Sequence, residues 1–328
     1  MSTAVVIEQC GLGIAIARFI DYKLALNRGY RTEAAALRLL ERALGGEACV
    51  DLRTITPAMV EAFLTSRPRH RPRSYNHLLG VSRRFFDWAV LQRLIERNPA
   101  ANLPLRRGHA HRPYLFEVEE IRRLLVLARA LPDRPKAPHR GLVYETMFAL
   151  LYSLGLRVGE LCRLQRSDVD LQHSILTIRQ SKFGKSRLVP FGPRLADRIE
   201  RYMEQRFGDP PGPDAPLFSF TARGCVSTNA VTQTFHTLWP RLALVIPPGV
   251  SAPRLHDLRH SFAVGTLLRW YREGIDPNTR LLHLSTFLGH VSPTSTAVYL
   301  TITDQLLREA DTRFRSHSLP RIGIGALP

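Results

Sequence analysis

The sequence predicts a mainly α protein with a small β-sheet (α+β), arranged as two domains. Three features carry this reading. Apolar residues recur at three-and-four spacing through most of the chain, one pair of short branched-apolar runs flanks a glycine turn, and a basic, proline-bounded connector separates two helical regions. Residues 1–105 contain four helical patterns, Ile14 to Ala25, Thr32 to Leu44, Thr56 to Leu64 and Tyr75 to Leu91. Thr56 before Pro57 is an N-cap followed by the residue best tolerated in a first helical turn, and Asn98-Pro99 stops the last pattern. Residues 106–113 read as the linker. Beyond it, Glu117 to Ala130 and Leu142 to Leu154 are again helical, and Gly155 closes the second as a C-terminal cap. Ser174 to Arg179 and Ser186 to Phe191 then form a hairpin signal about a Phe183-Gly184-Lys185 turn. The proline-rich run Gly208 to Pro216 excludes regular structure. Helices resume after it, one running from Pro253 to about Glu273 and another following Asp304, and residues 313–328 form a flexible tail.

At 328 residues and 45% hydrophobic content the chain has enough apolar material for a core in each domain. Charge narrows the partner: 46 Lys and Arg against 28 Asp and Glu leave a formal +18, which points to a polyanion. Between Arg67 and Arg112 stand eleven Arg, no Lys and two acids, Asp87 and Glu96, interleaved with Tyr75, Phe85, Phe86 and Trp88. Arginine's planar fork suits phosphate oxygens and guanine edges. That stretch reads as a DNA-facing surface, with Arg69, Arg71, Arg73, Arg83, Arg84, Arg106 and Arg107 as contacts. The four cysteines (Cys10, Cys49, Cys162, Cys225) are scattered, without CxxC pairs or zinc-ligand spacing, and read as buried free thiols of a reducing compartment. The apolar stretch Gly11 to Ile20 is too short to span a bilayer and has no basic leader, which gives a cytoplasmic, nucleoid-associated expectation.

A phosphodiester repels nucleophiles, so a catalyst acting without metal needs cations on the non-bridging oxygens, a nucleophile and a proton donor for the leaving oxygen. Four places supply such groups: Leu154-Gly-Leu-Arg157-Val-Gly-Glu160-Leu161, Lys182 at the hairpin turn, His256-Asp-Leu-Arg259-His260, and Leu288-Gly-His290 followed nine residues later by Tyr299. Each alone has a plain structural explanation. Arg157 can pair with Glu160 across three residues, His256 and Arg259 share a helical face, and most tyrosines pack a ring and hydrogen-bond a hydroxyl. A zinc pair of His256 and His260 lacks the glutamate of a His-Glu-x-x-His helix and a third ligand.

In this order and at these intervals, the four segments resemble the catalytic signature of the tyrosine recombinase or phage integrase family: Arg, Lys, His-x-x-Arg, His and Tyr. The resemblance covers most of residues 114–312. It extends more weakly to Ser74 to Leu105, similar to the last helices of the family's core-DNA-binding domain. It implies a helical (SAM-like) core-DNA-binding domain over residues 1–105 and a mixed, mostly helical catalytic domain over 114–312. It further implies that Arg157 and Arg259 hold the scissile phosphate, Tyr299 attacks phosphorus with His256 as base, His290 bonds a non-bridging oxygen and Lys182 protonates the departing 5′ oxygen. The product would be a 3′-phosphotyrosyl link, formed without cofactor, metal or ATP. Glu160 would brace Arg157, His260 would support its neighbours, and Lys185 would contact a phosphate or rival Lys182, since Ser181-Lys182-Phe183-Gly184 departs from the family's Gly-Lys-Gly. The segment between Arg259 and His290 is longer than the common pattern, with a loop expected in it. The resemblance also implies double-stranded DNA with inverted half-sites, a homotetramer on DNA (with or without partner recombinases) and no membrane partner, in a two-domain layout; a mobile-element role is the preferred expectation, with chromosome dimer resolution, phage integration and transposon movement left open because they share one active site. A relaxing topoisomerase or hairpin-forming resolvase, and a catalytically idle DNA-binding regulator, stay open at this point.

Overall fold

The computed structural model describes residues 11–26, 29–45, 50–66, 72–100, 104, 112–179, 186–206, 212–221, 224–290, 294–297 and 299. The chain divides into two compact units, residues 1–110 and 111–328.

The first unit is built of α1 (Leu12–Ala25), α2 (Arg31–Gly45), α3 (Pro57–Thr65) and α4 (Pro72–Leu91), with α2 packed against the other three. Phe19 of α1 is fully buried, its ring 5.6 Å from Phe85, 5.8 Å from Tyr30 and 5.3 Å from Trp88. Such off-parallel aromatic packing adds to the area these rings bury. Thr56 caps α3 as its sequence predicts, its hydroxyl accepting the Met59 N–H at 3.3 Å. α4 closes on Arg93 at φ +58, where the Arg93 and Leu94 N–H groups reach back to the Val90 and Ala89 carbonyls. Asn98 ties the following turn to α4: its amide donates to Asp87 at 2.6 Å and to the Arg83 carbonyl at 3.2 Å.

The second unit contains α5 (Val118–Arg129), α6 (Arg140–Leu154), α7 (Val158–Cys162), β1 (Val169–Asp170), β2 (Ile175–Ile178), β3 (Arg187–Pro190), α8 (Pro193–Arg206), α9 (Thr228–Leu238), α10 (Asp257–Arg272), α11 (Pro277–Leu288) and α12 (Thr294–Ala297). Helix α6 is apolar on nearly every side because it runs through the core, packed by α5, α8 and α10. The strands form one antiparallel sheet in the order β1-β2-β3, with Leu176 opposite Val189 and Ile178 opposite Arg187. Leu176, Ile178 and Val189 turn inward at the period of two that a half-buried strand requires.

Two sequence expectations change. The loop expected between Arg259 and His290 is helical nearly throughout: α10 continues to Arg272, and Asp276 caps α11 by accepting the Asn278 N–H at 3.0 Å, with Pro277 in the first turn. Of the cysteines, Cys162 is buried as expected but Cys225 is exposed, because it follows the Thr221–Gly224 bridge in an irregular segment outside the core; Cys10 and Cys49 lie outside the described residues. The expected Phe183–Lys185 turn, the helix after Asp304 and the tail also lie outside them. Among the described residues, no helix is long and apolar enough to cross a membrane.

Candidate active site

The site is assembled at two helix C-termini. Helix α6 ends at Gly155, whose φ of +57 is the left-handed conformation that favours glycine. A Cβ there would lie 2.5 Å from Phe262 and 2.9 Å from Leu288, so the chain turns in a space with no room for a side chain. The turn delivers Arg157 to the start of α7. Helix α11 ends in the same way, at Gly289 with φ +68.

Both arginines of the sequence pattern are held by carbonyls at these ends. Arg259, only 1% exposed, donates from Nη1 to the Gly155 carbonyl at 2.6 Å and from Nη2 to the Leu288 carbonyl at 2.8 Å. Arg157 donates from Nη2 to the next carbonyl, that of Gly289, at 2.8 Å. The last carbonyls of a helix have no partner within it and carry partial negative charge. Two residues 102 positions apart in sequence are therefore set on consecutive carbonyls. Burial, and next the positive charge of Arg157, lower the Arg259 pKa to about 10, so Arg259 remains charged at neutral pH.

Glu160 fixes the outer arginine. Its carboxylate, on a residue 4% exposed, accepts from Arg157 Nη1 at 2.7 Å and from the Arg157 backbone N–H at 3.0 Å. It also accepts two bonds from Arg187 of β3, at 3.0 and 2.9 Å. Burial alone would raise the Glu160 pKa, but the hydrogen bonds and charge of Arg187, with those of Arg157, hold it at about 2. Arg187 also donates Nε to the Phe287 carbonyl at 2.8 Å and lies where a Cβ on Gly289 would be, 2.7 Å from Nη1. In the sequence Arg187 is only one residue of the expected Ser186 to Phe191 strand. Its register opposite Ile178 is the signal that sets it apart from the outward-facing Leu188.

Two histidines flank the phenol, and a third packs on one of them. Tyr299 is 4% exposed and shares a buried cluster with Ala263, Val264 and Leu267 of α10 and Leu284 and Leu288 of α11. Its hydroxyl lies 3.0 Å from Nδ1 of His260, the histidine expected only to support its neighbours. His256 stands edge-on to His260, ring centres 4.8 Å apart. The His290 ring is nearly parallel to that of Tyr299 at 6.3 Å, and its Nδ1 meets the hydroxyl of fully buried Thr296 at 2.7 Å. Nothing in the sequence marks Thr296. Burial lowers all three histidines to about 4, aided by His260 and Arg259 at His256, by Arg254 and Arg259 at His260, and by Arg259 and Arg157 at His290. Burial pushes the Tyr299 phenol up, opposed first by the charge and hydrogen bond of Arg259.

The other expected residues divide. Lys182, Lys185, Arg69, Arg71, Arg106 and Arg107 lie outside the described residues. Arg73 and Arg84 are exposed on α4, eleven residues apart and so on one face. Arg83 is half-buried and donates Nε to the Ala100 carbonyl at 2.9 Å, a structural bond within its own unit.

Two guanidinium groups beside a buried phenol and neutral histidines, on this mostly helical fold, define the class: a tyrosine-type recombinase, an enzyme that transfers DNA strands in site-specific recombination. The description "Phage integrase family" matches residues 116–305. The protein y4rB of Sinorhizobium fredii, named as an integrase/recombinase, is 34% identical over 303 residues, covering 91% of this chain and 95% of its own. The tyrosine recombinase XerA of Thermococcus kodakarensis is 29% identical over 243 residues, covering 74% of this chain and 75% of its own. The fold is similar to that of lambda integrase, solved as a tetramer bound to a Holliday junction, with a TM-score of 0.63 at 19% identity over 91% of this chain and 79% of that one. The chain belongs to the phage integrase family.

Proposed function

We propose that this recombinase cleaves double-stranded DNA through a 3′-phosphotyrosyl link to Tyr299, with the scissile phosphate seated against Arg157 and Arg259. The observation that carries this reading is the placement of the two guanidinium groups on the consecutive carbonyls of Leu288 and Gly289, with the Tyr299 phenol packed beside Arg259. Cations fixed before substrate arrives stabilise the charge that builds on the non-bridging oxygens as phosphorus becomes five-coordinate, an effect of about 3 to 4 kcal/mol per donor at comparable sites. His290, held by Thr296, bonds a non-bridging oxygen, and His256 packs edge-on against His260. Lys182, four residues beyond the end of β2 in sequence, protonates the 5′ oxygen as it leaves, with Lys185 as a phosphate contact. The phosphoester energy is kept in the tyrosyl link, so a 5′ hydroxyl of another strand reverses the step and exchanges strands.

Arg73 and Arg84 of the first unit, with Arg69, Arg71, Arg106 and Arg107, follow the duplex backbone, in keeping with the chain's net charge of +18. The assembly proposed is a homotetramer on two sites of inverted half-sites, supported by the tetrameric state in which the structurally similar lambda integrase was solved. A role in a mobile element is supported by the integrase name of the relative matched over 95% of its length.

A nicked suicide duplex tests the chemistry. The wild-type protein is expected to become covalently attached to the DNA, and Tyr299→Phe to bind the same duplex without attachment. An adduct formed by Tyr299→Phe removes Tyr299 as nucleophile.

A further inference from the structure

We infer that His260, beside the buried carboxylate of Asp257, is the base that takes the phenolic proton of Tyr299 as it attacks phosphorus. The inference rests on the reading of Tyr299 as nucleophile and assigns the base to a residue outside the Arg, Lys, His-x-x-Arg, His and Tyr set.

Geometry carries it. Among the described residues, His260 is the histidine hydrogen-bonded to the phenol oxygen, at 3.0 Å from Nδ1, which is within the reach a general base requires. His256, the base expected from the sequence, faces the side of the His260 ring, and the Nδ1 of His290 is engaged by Thr296. The other ring nitrogen of His260, Nε2, lies 4.0 Å from Oδ1 of Asp257, which is fully buried on the first turn of α10. Asp257 is itself anchored by the backbone N–H of Arg254 at 2.9 Å and by its Nη2 at 3.0 Å. The 4.0 Å from Nε2 to Oδ1 is too long for a hydrogen bond, but the carboxylate oxygen on the Nε2 side favours the tautomer with hydrogen on Nε2, which leaves the Nδ1 lone pair facing the phenol. Imidazole and hydroxyl thus stand in the contact by which an imidazole activates a hydroxyl nucleophile, with the carboxylate behind the ring acting through its charge alone.

The charged and titratable groups facing His260 are His256, Asp257 and Arg259 of its own helix turn, Arg254 of the preceding segment and Tyr299 across the cluster. Burial, then Arg254 and Arg259, keep the imidazole neutral at pH 7 and able to accept. In the step, the Oη–H bond of Tyr299 breaks and its proton passes to Nδ1. The Oη–P bond forms and the P–O5′ bond breaks, and the leaving oxygen takes a proton from the acid, Lys182 in the proposed reading. The imidazolium is stabilised by Asp257 and returns its proton to Tyr299 when a 5′ hydroxyl reverses the link.

The test is adduct formation on the nicked duplex between about pH 6 and about pH 9, by wild type, His260→Ala and His260→Asn. Asn places a hydrogen-bonding atom near the position of Nδ1 but has no basicity. Wild type is expected to give a flat profile. Both variants should bind the duplex yet form adduct on the order of 10²-fold more slowly near neutrality, the rate rising roughly tenfold per pH unit as hydroxide replaces the missing base. A variant rate equal to wild type, or a constant defect with a flat profile, overturns the assignment. In unaltered protein, the imidazole nitrogen shifts of His260 should report hydrogen on Nε2; hydrogen on Nδ1 overturns it whether or not the variants fold. Loss of adduct in Tyr299→Phe alongside unaffected His260 variants rejects His260 alone, whereas an adduct in Tyr299→Phe rejects the underlying reading.

Discussion

Arg157 is the partly exposed member of the arginine pair, and its position is set by a carboxylate that a second buried cation shares. Arg187 and Arg157 together neutralise Glu160, and removing one partner of a buried, hydrogen-bonded ion pair leaves charge without compensation. Arg187→Ala is therefore expected to destabilise the protein by about 3 kcal/mol, the low end for such pairs because Arg157 remains. It should also slow adduct formation while leaving duplex affinity near normal, with denaturant unfolding, a binding titration and the suicide-duplex assay as the three readouts. An unchanged unfolding midpoint would show the Arg187 bonds to be energetically idle. At this scale the sequence was informative where chemistry repeats a spacing and silent where packing decides. Arg157, Glu160, Arg259 and Tyr299 stand out by interval. Arg187 looks like any strand residue until the sheet register turns it inward, and Thr296 stands out only because its hydroxyl meets the His290 ring.

The decisive elements are the C-termini of α6 and α11, where glycines with positive φ present carbonyls to the arginines. Gly155→Ala brings two penalties, a left-handed residue and a Cβ 2.5 Å from the Phe262 ring. It is expected to cost about 1 to 3 kcal/mol and to displace the carbonyl that holds Arg259, so thermal unfolding and adduct formation should fall together. Retention of both would place the arginine under other control. The Gly155 cap and the β2–β3 hairpin are legible because local chemistry and final structure agree. Helix α8 is not: it buries Ile199 and Tyr202 on an otherwise polar surface, so its apolar stripe is thin. Helix α9, Thr-Asn-Ala-Val-Thr-Gln-Thr-Phe-His-Thr-Leu, is poor in strong helix formers and is held by the burial of Val231, Phe235 and Leu238. In α11 the Asp276-Pro277 start was a readable cap, lost in a segment judged by its length.

Across the whole molecule the buried site ties stability to pH. His256, His260 and His290 have folded pKa values of about 4 against an ordinary 6.5, so the unfolded chain binds more protons between those values. Their stabilising contribution is complete above about pH 7 and falls as the medium is acidified from 6.5 towards 4. Glu160, at about 2 against 4.5, adds a second loss as pH falls from 4.5 towards 2. The unfolding temperature should be level near neutrality and drop in both windows, and a protein that gains stability on mild acidification would contradict the buried, neutral histidines. The same burial sets the chemistry, because it holds the phenol un-ionised beside Arg259 until a phosphate enters. The most direct measurement of that arrangement is the chemical identity of the protein–DNA bond. Protein trapped on a nicked duplex, digested and sequenced by mass spectrometry, should carry the 3′-phosphate on the peptide containing Tyr299; a nucleotide on any other residue, or none on DNA-bound protein, would contradict the account.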